Sequence, residues 1–221
     1  MKKKLVIFDA DGTLVDTNYQ FVEAYFDAFL VCGQRIPKSK IHAHVGMGHD
    51  KMIPCLTSRA WTRRHGARVA RLADRYYLTR FLKKAHPFQG ARELLRKVKA
   101  SGRRLALASS SPESMVSFYV KLLAAEKLFD YRTTFDDVTH SKPHPELFLK
   151  ILAKSKMLPA RCVAVGDSVW DTEAARRAKV DAVAVLSGGY SAVDLIRAGA
   201  REVYEDVAEL GREFRRSWLA R

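Results

Sequence analysis

The sequence predicts an α/β fold, a doubly wound and mostly parallel sheet that carries an all-helical insertion near its start. Three observations predict it. Short apolar runs recur at residues 5–8, 105–109, 162–166 and 181–186, each too short for a helix and suited to a strand buried on both faces. Stretches of helical spacing separate the later runs, and strands alternating with helices specify a parallel sheet. Between residues 17 and 86 the apolar spacing is helical and no strand pattern interrupts it.

The first strand, 5–8, ends at Asp9. Asp11 lies two positions later, and Gly12 permits a sharp turn. A side-chain period of two lets Asp9 and Asp11 project from the same side of the strand end. Two carboxylates that close repel each other, so a cation, a shared proton or a catalytic task is expected to hold them together. Helical spacing continues the chain at Phe21, Val22, Tyr25, Phe26, Phe29 and Leu30, with Asp16, Thr17 or Asn18 as N-cap and Gly33 as the stop. Pro37 and Ser39 mark a loop, and residues 45–50 a turn into the next helix. Residues 58–83 form a long arginine-studded helical pattern whose Trp61, Tyr76 and Phe81 face its core.

Pro87 breaks that run. A helix over about 90–100 stops at Gly102, and a strand lies at 105–109. The next helix opens at Ser111-Pro112-Glu113, with Ser as cap and Pro in the first turn. A weaker strand at 129–135, a helix at 145–156, a strand at 162–166 and a helix at 171–178 come next. Strands at 181–186 and 202–204 close the pattern.

A chain of 221 residues accommodates one large domain, or one carrying an insertion. Its three cysteines, Cys32, Cys55 and Cys162, are scattered, which argues against a disulfide frame or a zinc site and for a reducing compartment. The apolar run after the opening Met-Lys-Lys-Lys is too short for a secretory signal, and no later stretch spans a bilayer, so a cytoplasmic location without membrane partners is expected. The net charge of +15 fits either a solubilising surface or the attraction of anionic substrates. Thirteen Lys/Arg against four Asp/Glu place +9 of it in residues 17–86. No helix-turn-helix, zinc-finger or RNP motif accompanies the charge, so nucleic acid is not the expected partner.

In open α/β sheets ligands sit beyond the carboxyl ends of the strands. There this sequence places Asp9 and Asp11, then Ser109-Ser110-Ser111 at a helix start, then Gly166-Asp167-Ser168 with Asp171 after it. Ser141-Lys142-Pro143 lies between. Hydroxyls and free backbone N–H groups at a helix start suit a phosphate. Carboxylates at two strand ends suit a hard, oxygen-seeking cation such as Mg²⁺, and a lysine suits the phosphoryl group the cation would help neutralise. Each piece alone is a commonplace turn or cap. Together, in this order, they point to phosphoryl transfer.

The same residues closely resemble the four motifs of the haloacid dehalogenase superfamily: Asp9-Ala-Asp11-Gly12-Thr13, Ser109, Lys142, and Gly166-Asp167-Ser168-x-x-Asp171. Gly188-Gly-Tyr190 and Ala198-Gly-Ala200 resemble its loops. The resemblance implies a Rossmann-like core from residues 1–16 and 87–221, and a helical cap domain from 17–86. It implies Asp9 as nucleophile and Asp11 as general acid/base, with Lys142 as a further catalytic residue. It also implies Mg²⁺ held by Asp9, the Asp11 carbonyl and Asp167, with Asp171 a further ligand or a partner for Lys142. Ser109 and the Ser110 N–H would hold phosphate oxygens, and Thr13 would support the loop. In similar enzymes a cap loop chooses the substrate, here the segment with Gly48, His49 and Lys51, the last two binding a second anionic or hydroxyl group.

The expected function is therefore a Mg²⁺-dependent phosphomonoester hydrolase working through an aspartyl-phosphate. Its substrate would be a small phosphorylated metabolite, phosphoglycolate-phosphatase-like, and the protein a monomer or homodimer. A sugar phosphomutase of the β-phosphoglucomutase type shares all four motifs. An inactive basic nucleic-acid-binding protein is the alternative of another class.

Overall fold

The computed structural model describes residues 3–221. Six parallel strands form the central sheet: β1 (Leu5–Phe8), β4 (Arg104–Ala108), β5 (Tyr131–Thr133), β6 (Cys162–Gly166), β7 (Asp181–Val185) and β8 (Ala200–Tyr204). Their order is β5-β4-β1-β6-β7-β8, so β1 lies inside the sheet, in register with both β4 and β6. The order reverses direction at β1, and a crevice opens there at the strand ends.

Side chains alternate across the sheet with the strand period of two. Val6, Phe8, Leu105, Leu107, Val163 and Val165 enter one core. It is filled by α5 (Ala91–Ala100), α6 (Glu113–Leu122) and α10 (Val207–Arg212), through Leu94, Tyr119 and Leu210 among others. Leu5, Ile7, Ala106, Ala108, Cys162 and Ala164 enter the other. Against them pack α7 (Glu146–Ser155) and α8 (Val169–Arg177), with Leu147, Ile151 and Ala174. The second face is rich in alanine, so its helices approach the sheet closely. A short helix, α9 (Ala192–Ala198), joins β7 to β8.

The helical block is inserted between two short strands, β2 (Val15–Asp16) and β3 (His86–Pro87), which pair antiparallel. The chain therefore leaves the sheet layer and returns to it at one narrow two-stranded joint. The block comprises α1 (Asn18–Val31), α2 (Lys38–His42), α3 (His49–Leu56) and α4 (Arg59–Tyr76). It has its own apolar centre, with Val22, Phe29, Ile41, Met52, Ile53 and Val69 fully or nearly buried. No helix among the described residues is long and apolar enough to cross a membrane.

The sequence-based expectations need correction in four places. The loop expected at Pro37 and Ser39 is the helix α2, begun by Pro37 at its N-cap. The single helix expected over 58–83 ends at Tyr76 and passes through a π-type turn, Tyr77–Phe81, and a tight turn, Leu82–Lys84. The β2–β3 joint is absent from the expected pattern, because two-residue strands carry no readable period. Ser111 does not cap α6: Pro112 occupies the N-cap position without a side-chain hydrogen bond, and the Ser111 hydroxyl is used elsewhere.

Candidate active site

Four strand ends and the helical block meet over the carboxyl edge of β1. Asp9 leaves β1 directly, its N–H donating to the Val165 carbonyl of β6, which keeps it at the sheet edge. The turn after it requires a left-handed residue, and Gly12 supplies φ of +75°. Asp167 leaves β6, and Ser109 to Ser111 leave β4. Lys142 arrives on the loop before α7.

Lys142 is completely buried, and its Nζ lies 2.5 Å from Asp9 Oδ1 and 2.6 Å from Asp171 Oδ1. Asp171 also caps α8, because its carboxylate accepts from the Ser168 N–H while the Ser168 hydroxyl accepts from the Asp171 N–H. Asp171 thus serves as partner of Lys142 and as a fixed helix terminus at once. Asp167 accepts from the Thr13 hydroxyl at 2.8 Å and from Asn18 Nδ2 at 3.0 Å. A Cβ on Gly12 or on Gly188 would lie 2.3 or 2.1 Å from Asp167 Oδ2, so both glycines are required by close approach.

Asp11 is held apart from this group. Its Oδ2 accepts from the Ser111 hydroxyl at 2.7 Å and from Ser109 at 3.3 Å, and its Oδ1 accepts from Thr17 at 2.9 Å. Asp9 Oδ2 has only a 3.4 Å contact with the Thr13 hydroxyl, which lies closer to Asp167. One oxygen of Asp9 is therefore pinned and the other nearly free, in a residue that lines a cavity.

The electrostatics are set by burial. Desolvation raises Asp9 well above the usual carboxylate range, against the lowering effect of Lys142. Burial also raises Asp11, offset in part by hydrogen bonds from Ser111 and Thr17. Asp167 is pushed up to about 7, by burial first and by the Asp171 charge second. Burial works against the charge on Lys142, yet Asp171 and Asp9 more than offset it and hold the ammonium protonated. Carboxylate oxygens of Asp9, Asp167 and Asp171 lie within 4.8 Å of one another. One ammonium faces these three carboxylates, which leaves the cluster short of positive charge. That donor set, all hard oxygen and all buried, fits a divalent cation such as Mg²⁺.

The cavity beside the cluster is enclosed by the core and the helical block. It is lined by Asp9, Asp11, Ser110 and Ser111 from below, and by Tyr25, Gly48, His49 and Asp74 from above. The Ser110 hydroxyl is buried without a hydrogen-bond partner among the described residues. The Gly48 N–H donates to Ser141 Oγ at 2.9 Å, tying the 45–48 turn to the loop that carries Lys142. His49 lies against Phe135, ring centroids 4.3 Å apart. Lys51 is not in the cavity lining; its ammonium is 3.3 Å from Asp50 and 3.2 Å from His140.

Three residues join the site that motif and spacing do not single out, Asn18, Tyr25 and Asp74, and Ser111, expected at the strand end as a helix cap, instead donates to Asp11. One signal in the sequence marks Asp74. It is the only acid among the arginines of α4, and it is half-buried where those arginines are exposed. Asn18 and Ser111 sit on helix starts, where a capping role hides any other.

Fold and site together define an α/β enzyme whose chemistry is mounted on strand-end carboxylates at a topological switch point. The family model described as Haloacid dehalogenase-like hydrolase matches residues 6–185, and the chain belongs to that family. It is 30% identical to the phosphorylated carbohydrates phosphatase of Thermotoga maritima, over 88% of this chain and 91% of that one. It is 28% identical to the phosphoglycolate phosphatase of Salmonella choleraesuis, over 91% of this chain and 88% of that one. A crystal structure of a hydrolase from Pseudomonas syringae superposes with a TM-score of 0.90 at 32% identity, covering 97% of this chain and 99% of that one.

Proposed function

We propose that the protein is a Mg²⁺-dependent phosphatase that hydrolyses a small organic phosphomonoester through an aspartyl-phosphate on Asp9. The observation that carries this reading is the asymmetry of Asp9. Lys142 pins Oδ1, while Oδ2 is nearly free beside the unpartnered Ser110 hydroxyl. The relatives named as phosphatases of carbohydrate phosphates and of phosphoglycolate support the substrate class.

Asp9, Asp167 and the Asp11 carbonyl would hold the cation, which when bound neutralises phosphate charge. Lys142 aims Asp9 and opposes the rise that burial imposes on its pKa, and the cation when bound would favour the ionised carboxylate. Asp9 Oδ2 attacks phosphorus as the bond to the leaving oxygen breaks, and Asp11, whose pKa is raised, gives that oxygen its proton. Water then attacks phosphorus and loses its proton to Asp11, and the carboxylate of Asp9 is released. Ser109 and the hydroxyl and backbone N–H of Ser110 receive the phosphate oxygens, since the Ser109 and Ser111 N–H groups already donate to the Thr133 carbonyl and to Ser109 Oγ. The helical block of residues 17–86 acts as a cap that excludes water from these steps.

Asp9→Asn tests the reading with p-nitrophenyl phosphate. Turnover is expected to fall by several orders of magnitude while the circular dichroism spectrum is unchanged, and near-normal turnover removes Asp9 from the role. Conversion of a hexose phosphate into its isomer without phosphate release would favour the mutase instead.

A further inference from the structure

We propose that Asp74, His49 and Tyr25 form the leaving-group wall of the cavity and select a neutral, hydroxylated organic phosphate over one carrying a second anion. The proposal rests on the phosphatase reading and concerns the other end of the substrate.

Three polar side chains of the helical block line the cavity, and none is hydrogen-bonded. The Asp74 carboxylate makes no hydrogen bond or ion pair with any described residue, although six arginines share its helix. Those arginines, Arg59, Arg63, Arg64, Arg68, Arg71 and Arg75, are all exposed. The Tyr25 hydroxyl and the His49 ring nitrogens are likewise without hydrogen bonds among the described residues. Apolar Phe21, Val45, Met47 and Met52 fill the space between them. An apolar wall with a few convergent polar groups is what orients a small ligand.

The sign of these groups sets the class. Among the described residues, no lysine or arginine lines the cavity. Lys51, two positions after His49, faces Asp50 and His140, Arg75 beside Asp74 is exposed, and Lys142 is engaged by Asp9 and Asp171. The short carboxylate of a substrate such as phosphoglycolate would meet Asp74 at this wall, in a partly dehydrated space, because Arg71 lines only the adjoining cleft beyond Asp74. A hydroxyl meets no such penalty. It donates to the Asp74 carboxylate and accepts from the His49 or Tyr25 proton. Burial raises Asp74 above the usual carboxylate range, with His49 acting against that rise and Asp136 adding to it.

Size points the same way. The cavity over Asp9 is small, with a volume of about 40 Å³. A cleft of about 430 Å³ adjoins it between α3 and α4, and the two share His49 and Asp74 in their walls. A leaving group of several carbons would reach past that pair toward Arg71 in the wall of the cleft, whereas the short carboxylate of phosphoglycolate would stay beside Asp74.

The test is steady-state phosphate release by the full chain with Mg²⁺, from a hexitol phosphate, phosphoglycolate and phosphoethanolamine. The wild type is expected to favour the hexitol phosphate over phosphoglycolate in kcat/KM by roughly tenfold or more, the worth of one hydrogen bond to a charged group. Asp74→Asn is expected to narrow that ratio through KM, and Asp74→Lys to invert it. A ratio that is flat in the wild type, or equal in all three proteins, overturns the proposal. So does a preference for phosphoethanolamine over the hexitol phosphate, which would assign Asp74 to an ammonium. Retained turnover of p-nitrophenyl phosphate alongside a flat ratio sinks the selectivity alone. Absence of any metal-dependent release sinks the phosphatase reading and the selectivity with it.

Discussion

Removing the buried ammonium is the most informative perturbation of this site. Lys142→Met keeps the approximate side-chain volume and deletes the charge, so packing is nearly conserved. Lys142 is 0% exposed and bridges Asp9 and Asp171 at 2.5 and 2.6 Å. Without it, three carboxylates within 4.8 Å have no internal cation. Breaking a buried ion pair from one side costs about 3–5 kcal/mol. At about 2–4 °C per kcal/mol for a chain of this size, the metal-free variant should melt roughly 6–20 °C below the wild type. Urea denaturation in chelator gives the free energy directly, and the same samples assayed with Mg²⁺ should show turnover reduced by orders of magnitude. Adding Asp171→Asn removes one of the stranded charges. The double variant should therefore recover about 1–3 kcal/mol relative to additivity without recovering activity. A single variant within about 1 kcal/mol of the wild type, or strictly additive costs, would refute the charge argument.

The remaining predictions concern the surroundings of that ion pair. Asp167 is protonated up to about pH 7 in the folded chain, while the unfolded chain loses that proton near 3.8. Between those values the folded state holds the extra proton, so metal-free stability should fall as pH rises through the window. Mg²⁺ favours the ionised carboxylate, so the melting shift it produces should grow over the same window. A shift that is flat with pH would contradict it. Gly12→Ala puts a Cβ 2.3 Å from Asp167 at a φ of +75°, and should weaken Mg²⁺ binding and lower stability by more than about 1 kcal/mol. Calorimetric titration with Mg²⁺ reads the first effect, and wild-type affinity would count against the close approach. Ser111→Ala removes a 2.7 Å hydrogen bond that holds the Asp11 pKa down. The alkaline limb of kcat/KM should move to higher pH; a limb that stays put or moves down would free Asp11 from the acid role.

Much of this is legible in the chain because α/β folds write their chemistry at strand ends. Asp9 is the residue after an apolar run, and so is Asp167; looking one position past the end of each run finds both. Lys142 and Asp171 are legible as motif residues, but not as partners, since 29 positions separate them. Ser111 misleads because a serine ahead of a proline and an acid satisfies every local rule for a helix cap. Only the fold shows its hydroxyl turned to Asp11 instead. Lys51 shows the opposite failure. Its place after a glycine-rich turn suggests an anion contact, and the α3 geometry carries it to Asp50 and His140.

Although α2 and the β2–β3 joint were not, the order of the sheet strands, the helical character of the inserted block and the positions of the core acids were determined by sequence alone. Each depends on periodicity and punctuation that act within a few residues. Tertiary structure alone decided which oxygen of Asp9 is free, how Asp171 is shared, and that Asp74 rather than a lysine or arginine faces the cavity. Those outcomes depend on groups distant in the chain meeting where water is excluded, and there burial and pairing set the charge each one keeps.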